Sequence, residues 1–352
     1  MKTVLFFGIF DPKYARNRVL TTGFERNGWK VAECRIDPRA TRGMRKYLAL
    51  ARLGLAARKE PHDLVIVCFP GQSVVWLARL LFGKHIVFDA FLSLYDSNVF
   101  DRKVYGPKSL RAQKDRMLDT WSCRLAWKVL LDTNEHIGYF VKTFGIPRGK
   151  FFRVWISADD TVFMPRAAAG EEEFTVHFHG TFIPLQGISY IIDAANQLRH
   201  EGLRFRIIGS GQETPLIEEQ VKKLGLESII ERTGKLPIAE VARHMESAQI
   251  VLGIFGDTEK TKRVIPNKVY EAMAMGKAII TADTQAIREL PSAPSALVLV
   301  PVADARALAD AIRGLKADDA RREALGRSAY ELYDRECRPE KIVSALISEL
   351  RL

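Results

Sequence analysis

Lys260–Asp283 reads KTKRVIPNKVYEAMAMGKAIITAD, and how it folds decides the class of the whole chain. Pro266 suits a helix start, because the N–H it lacks is one that a helix N-terminus leaves unpaired anyway. Val269–Met275 then reads as an amphipathic helix, with Ala272, Met273, Ala274 and Gly276 small or adaptable enough for close packing. Ala278–Ala282 follows as a short strand, apolar at successive positions, as expected for a strand covered on both faces.

The same unit recurs in both directions. Strand-like runs lie at Thr3–Gly8, Leu64–Phe69, His85–Phe88 and Val129–Asp132. Others follow at Thr175–His179, Phe205–Gly209, Ile229–Thr233, Ile250–Ile254 and Ala296–Val300. Helical patterns such as Gly187–His200, Pro215–Leu224 and Ile238–Ser247 separate them. Strand–helix alternation over the full length predicts an α/β protein with parallel sheets built from βαβ units. It breaks only at 160–173, where Pro165, Ala167–Gly170 and Glu171–Glu173 read as a linker. Two doubly wound, Rossmann-like domains are therefore expected, at 1–165 and 166–337, with a last helix in 338–352. Ligands in such folds sit at the carboxyl ends of the strands.

Composition narrows the function. The 352 residues include 53 Lys+Arg and 42 Asp+Glu, for a net charge of +11. Residues 1–165 hold 28 basic and 15 acidic side chains, a net of +13, so the basicity belongs to the first half. That half should face something anionic. Cys34, Cys68, Cys123 and Cys337 show no CxxC spacing and no His at ligand intervals, so no disulfide scaffold and no metal site are expected. Met1–Phe10 ends at Asp11-Pro12 and reads as a first strand, not a signal peptide. No stretch approaches the roughly 18 apolar residues of a membrane span. A cytoplasmic protein is expected.

Three segments of the second half carry candidate chemistry. Lys268 and Glu271, three apart, share a face near a helix start. A cation there can meet phosphate while a carboxylate accepts hydrogen bonds from ribose hydroxyls; a plain surface ion pair is the other reading. His179–Ile188, HGTFIPLQGI, leads from a strand into a helix near Gly187, where a glycine lets backbone N–H groups approach an anion. Gly209-Ser210-Gly211 also follows a strand, but the third glycine of a dinucleotide fingerprint is Thr214, which counts against a dehydrogenase. His177 and His179 alternate along a strand and read as structural residues.

The order of these pieces resembles the retaining glycosyltransferases of family 4, which have the GT-B fold of two Rossmann-like domains facing across a cleft. GTFIPLQGI (Gly180–Ile188) resembles their glycine-bearing loop at the donor phosphates, in the form seen in a bacterial subset. IIGSGQE (Ile207–Glu213) and TGKLP (Thr233–Pro237) resemble the loops flanking the nucleobase, and PNKVYEAMAMGKAIIT (Pro266–Thr281) the helix whose glutamate holds the donor ribose. DTNEHIGYFVKTFGIPRGKFFRVWISADDTVFMP (Asp132–Pro165) resembles the segment leading into the second domain. The resemblance implies donor contacts at Gly180, Thr181, Gln186, Gly209, Gly211, Leu236, Lys260, Arg263, Asn267, Lys268 and Glu271. Thr181 and Gln186 stand where many members have Arg and Lys. Arg263 stands where many have a second glutamate, and Lys260, Lys262 and Arg263 offer a replacement for the missing positive charge.

The first half then holds the acceptor. Gly8 and Asp11 end its first strand, Arg16 opens a helix, and Asp89 and Asp96 close the strand at His85–Phe88. Asp89 lies where members carry a catalytic-site polar residue; a buried capping role is its alternative. Lys268 is the other catalytic candidate. Arg35–Glu60 holds eight basic and two acidic residues. Its Met44, Tyr47, Leu48, Ala51 and Leu55 make an apolar stripe flanked by Arg45, Arg52 and Lys59, with Leu50 and Leu53 on the opposite side. This suggests an interfacial helix on an anionic bilayer, against a plain solvated basic face. No nucleic-acid-binding pattern accompanies the charge.

The reading as a whole is a glycosyltransferase of cell-envelope or lipid-linked glycan synthesis. It moves a sugar from a UDP-, GDP- or dTDP-sugar to an acceptor hydroxyl. It needs no cofactor and no metal, since no D-x-D sequence occurs, and it works on the inner face of the cytoplasmic membrane. The resemblance also implies stereochemical retention and a last helix crossing back to the first domain. Rival readings are a non-catalytic nucleotide-sugar-binding protein, or an epimerase or phosphorylase on the same fold.

Overall fold

The computed structural model describes residues 1–39, 43–166 and 173–352. They form two units, 1–157 with 338–352 and 158–337. Of the linker stretch read at 160–173, residues 167–172 lie outside the described residues. The first unit ends at Ser157, ahead of the break expected at 165: Val154, which follows β6, still bonds to Leu131 O of the first sheet, and the turn that leads away begins at Asp160.

In the first unit, β1 (Thr3–Ile9), α1 (Ala15–Arg26), β2 (Lys30–Ile36), α2 (Arg45–Ala57), β3 (Leu64–Val67) and α3 (Val75–Phe82) come first. Then come β4 (Ile86–Phe91), α4 (Leu110–Leu125), β5 (Lys128–Leu131), α5 (Asn134–Phe144) and β6 (Phe151–Arg153). The strands are parallel, in the order β2-β1-β3-β4-β5-β6. β3 is buried at all four residues, which is why its sequence is apolar at every position. β2 and β6 were not expected. Both are edges of the sheet: β2 exposes Lys30 and Glu33 and buries only Cys34, and β6 has three residues. An edge strand with one wet side has no continuous apolar run to read.

In the second unit, β7 (Phe174–Phe182), α6 (Ile188–Gln197), β8 (Leu203–Gly211), α7 (Thr214–Leu224), β9 (Ile230–Thr233) and α8 (Ile238–Ser247) come first. They are followed by β10 (Ile250–Leu252), α9 (Asn267–Ala274), β11 (Ala278–Ala282), α10 (Ala293–Ala296), β12 (Val298–Val300), α11 (Ala305–Lys316) and α12 (Asp319–Leu332). The sheet order is β12-β11-β10-β7-β8-β9, again parallel. Asp304 and Asp318 cap α11 and α12, each accepting a backbone N–H from the first turn, the usual pairing for a helix's orphan donors. β7 and β8 run on past their apolar stretches, pairing Gly180 with Gly209 and Phe182 with Gly211. Position 209 requires glycine: its φ is +138°, and a Cβ would lie 1.9 Å from the Gly180 carbonyl oxygen.

α13 (Pro339–Leu350) belongs to the first unit and packs on α1. Arg26 meets Glu340 at 2.8 Å there, and a Cβ at Gly23 would lie 2.4 Å from the Pro339 carbonyl oxygen. α2 packs beside α3, α3 beside α4, and α4 beside α5. All four cysteines are buried and free.

α2 corrects the expected stripe. Leu50, assigned to the far side, is fully buried, and Tyr47 and Ala51 pack against the core with it. A Cβ at Gly54 would lie 2.4 Å from Leu81. Met44, Leu48 and Leu55 point outward instead. Two apolar ridges run along this helix, and the periodicity merged them into one.

Candidate functional site

The second unit begins with its middle strand. β7 is laid down first, β8 and β9 extend the sheet to one side, and β10 crosses to the other. The strand order reverses between β7 and β10, and the carboxyl ends of such a pair are where α/β sheets bind ligands.

Lys268 stands at that point. Its Nζ donates to Gln186 Oε1 and lies 3.5 Å from the carbonyl oxygen of Gly253, just past β10. A Cβ at Gly180, near the end of β7, would come within 3.0 Å of it. The ammonium also sits 3.6 Å from the centre of the Phe178 ring. Only 3% of Lys268 is exposed. Burial pushes its pKa well below the usual lysine range, and the Glu271 carboxylate offsets this in part. A buried ammonium with one neutral amide partner and one long carbonyl contact is short of negative charge.

Glu271 lies one turn along α9, 5% exposed. Its Oε2 accepts a hydrogen bond from His179 Nε2 at 2.8 Å, and His179 Nδ1 is 3.1 Å from His177 Nε2. No side chain caps the first turn of α9, so its N–H groups and partial positive charge add to the site. Sequence reasoning set both histidines aside as structural. The available signal was their alternation along β7, which puts His177 and His179 on one face; the partner glutamate, 92 residues away from His179, could not be read.

The loop after β7 is held by tight packing. Gly187 has φ +63°, and a Cβ there would lie 2.3 Å from the Gly256 nitrogen. Gly256 N–H donates to Leu185 O at 3.2 Å and Phe255 N–H to Gln186 O at 3.1 Å. These contacts fix Gln186 against Lys268. Thr261 donates to Leu185 O at 3.3 Å, tying the Lys260–Arg263 turn to the same loop. The expected cationic trio there is uneven: Lys260 is buried, Arg263 is half-buried, and Lys262 is half-exposed and pairs with Glu259 at 2.5 Å.

The structure thus brings Gly180, Gln186, Lys268 and Glu271 together. Asn267 opens α9, and Thr181 is exposed beside Ser210 on the neighbouring strand. Gly211 and Leu236 lie farther along the sheet, at the end of β8 and in the turn after β9.

In the first unit, Arg16 and Asp89 are both fully buried. Arg16 Nε donates to the two Asp89 oxygens at 3.2 and 3.1 Å and Nη2 to Oδ1 at 3.0 Å. Arg16 Nη1 reaches the carbonyls of Val154 and Trp155 at 3.0 and 2.7 Å. The expectation that Asp89 meets substrate gives way before this geometry: the carboxylate has no exposed surface and both oxygens are occupied. Asp96 is buried too, its backbone N–H donating to Ser93 Oγ at 2.9 Å. Asp11 stays half-exposed, accepting from Lys13 N–H at 2.9 Å, near buried Gly8 at the end of β1. Breaking a buried pair strands a charge, so Asp89→Ala should cost about 3–5 kcal/mol of stability in urea unfolding. The double variant Arg16→Met/Asp89→Leu should recover most of it. Unchanged stability with lost activity in Asp89→Ala would restore the catalytic reading.

Residues 173–318 match the family model described as glycosyl transferases group 1. A putative colanic acid biosynthesis glycosyltransferase, WcaL of Escherichia coli (strain K12), is 31% identical over 173 residues, 47% of this chain and 42% of that protein. WcaL of Salmonella typhimurium (strain LT2) is 34% identical over 131 residues, 35% of this chain and 31% of that protein. The chain spans less than half the length of these curated relatives. Among solved structures, Anabaena Alr3699/HepE in complex with UDP superposes with a TM-score of 0.73 at 16% identity, covering all of both chains. Sucrose-phosphate synthase from Thermosynechococcus elongatus gives 0.77 at 16%, covering 100% of this chain and 98% of that one. The fold of the chain is therefore GT-B, and residues 173–318, which carry the contacts described around Lys268 and Glu271, are the part that matches the glycosyl transferases group 1 model.

Proposed function

We propose that the protein is a glycosyltransferase of cell-envelope polysaccharide synthesis, moving a sugar from a nucleotide diphosphate sugar to an acceptor hydroxyl with retention. One observation carries the reading: a buried, under-neutralised Lys268 sits where the strand order reverses, one helical turn from a buried carboxylate. A diphosphate supplies the charge that Lys268 lacks, and ribose hydroxyls supply donors to Glu271. In transfer, Lys268 and the first N–H groups of α9 stabilise the negative charge that builds on the departing diphosphate. Lys260 and Arg263, on the turn that Thr261 ties to Leu185, add further positive charge toward the phosphates. Thr181 and Gly180 give the phosphates a close approach to backbone, and Gly209, Gly211 and Leu236 border the base. This arrangement places the cationic stabilisation on protein groups, which is the basis for proposing metal-independent transfer.

Anabaena HepE is solved with UDP-glucose; carried to this chain, that makes UDP-sugars the first donors to test. The acceptor is proposed to be a lipid-linked glycan bound by the first unit, at the inner face of an anionic membrane. Thermal unfolding with UDP-, GDP- and dTDP-sugars should show stabilisation by one nucleotide class, lost in Glu271→Ala. No stabilisation by any of them would overturn the donor assignment. Stabilisation without transfer to any envelope glycan acceptor would favour a nucleotide-sugar-binding protein.

A further inference from the structure

The strongest unexplained feature is the outer surface of α2, α3 and α4. Of the sixteen large apolar side chains exposed among the described residues, eleven fall between Met44 and Trp121. On α2, Leu48 and Leu55 share the outward ridge with Arg45 and Arg52, at helical spacing, and Lys59 is exposed in the turn just past the helix end. α3 turns Trp76 and Leu80 outward, the latter 73% exposed. α4 presents Leu110, Met117 and Trp121, exposed by 90, 53 and 55%, with Lys114 and Arg124 between and beside them. These helices are neighbours in sequence order, so the ridges form one continuous face.

The face is cationic as well as apolar. Residues 43–128 contain fifteen Lys and Arg and seven Asp and Glu. Four of those acids, Asp89, Asp96, Asp101 and Asp119, are fully buried. Asp119 accepts from Ser93 Oγ and from the backbone N–H groups of Leu94 and Tyr95, so the acidic side of α4 anchors it inward. Among the described residues, Arg45, Arg52, Lys59, Lys114 and Arg124 form no ion pair. The contrast lies within the same chain: in the second unit Arg204, Arg232, Arg288, Arg313 and Arg322 each have a carboxylate partner.

We infer that α2, α3 and α4 together form a docking face for an anionic lipid bilayer, with Leu48, Leu55, Leu80, Met117 and Trp121 entering the headgroup–acyl boundary while the unpaired cations meet lipid phosphates. This widens the interfacial helix expected from Arg35–Glu60 to a three-helix surface whose aromatic anchors are on α3 and α4. Apolar burial joined to cation attraction characterises interfacial binding, and tryptophan favours the headgroup level. A phosphodiester backbone would use the cations alone, leaving the leucines unexplained. The inference deepens the proposed membrane-side acceptor, and its evidence is independent of the donor site.

The test is co-sedimentation of the full chain with phosphatidylglycerol-containing vesicles and with phosphatidylcholine alone. Wild type should bind the former and not the latter. Each cation near an anionic surface is worth about fivefold in partitioning, so Lys114→Glu/Arg124→Glu on α4 should lower binding by more than about tenfold. Met117→Ser/Trp121→Ser and Leu48→Ser/Leu55→Ser should each weaken binding several-fold. All variants should keep the wild-type thermal shift with nucleotide, showing that they fold and that the donor site is separate. Wild-type binding by the α4 variants would overturn the three-helix face. So would loss on charge reversal alone with undiminished binding by both serine pairs, the pattern of a nucleic-acid site. Vesicle binding without any nucleotide shift would leave this inference standing and remove the donor reading; the reverse would do the opposite.

Discussion

Lys268→Met is expected to lower kcat/KM with the donor sugar by about 10²–10³-fold, the loss seen when one preorganised charge-stabilising group is removed. Methionine keeps most of the lysine volume and removes the charge, so the fold should not suffer. The apo protein should gain stability, because the variant no longer buries a group with one amide partner and a 3.5 Å contact to Gly253 O. Activity and stability then move in opposite directions, which a merely structural lysine would not produce.

The proton balance sharpens the test. Burial depresses the Lys268 pKa in the free protein, and a bound diphosphate raises it again. Between those two values, nucleotide binding takes up a proton, so affinity falls as pH rises through the window. In the absence of nucleotide the unfolded chain binds more protons than the folded one over the range between the depressed and ordinary lysine values. Apo stability therefore rises with pH there. Lys268→Met should flatten both dependences. Calorimetric titration of UDP in buffers of different ionisation enthalpy reads the uptake directly; proton-neutral binding by wild type would remove Lys268 from the phosphate site.

The central architecture was legible for a physical reason. β1, β3, β4 and β11 are covered on both faces, so their sequences are apolar at consecutive positions and stand out against the helices between them. β2 and β6 have one free edge and escaped notice. On α2 the spacing rule found apolar residues correctly but assigned Leu50 to the wrong side, because a helix with two apolar ridges has no single moment to follow. The three-residue spacing of Lys268 and Glu271 made one face of α9 readable. The partners of that face lie on β7 and the following loop, and the depth of Lys268 depends on Gly180, Gln186 and Phe178 converging from elsewhere in the chain. Arg16 and Asp89 show the same limit: the sequence left Asp89 open between a site role and a buried one, and its partner Arg16, 73 residues away, could not be read.

The pairing of His179 with Glu271 leads to the second large effect. His177 is fully buried, and burial first, with His179 and Arg206 next, holds its pKa well below the ordinary histidine range, so it is neutral. A neutral His179 facing a carboxylate must carry its proton on Nε2, the atom 2.8 Å from Glu271 Oε2. Its Nδ1 is then bare and accepts from His177 Nε2–H. The chain His177–His179–Glu271 fixes one tautomer at each ring and one orientation of the carboxylate, with Oε1 outside that hydrogen bond and, on the proposed donor reading, the atom expected to meet ribose. Glu271→Ala should therefore reduce nucleotide affinity and kcat/KM by about 10²-fold, the loss of a charged acceptor that also leaves its partly buried donor His179 without a partner. His179→Leu should raise the donor KM about tenfold with a smaller change in kcat, since it releases the carboxylate without removing it. His179→Gln, which can still donate to Oε2, should restore part of that loss. The double variant Glu271→Ala/His179→Leu should be no worse than Glu271→Ala alone, because His179 acts through the carboxylate. Additive losses in that cycle would show that His179 contacts the donor itself.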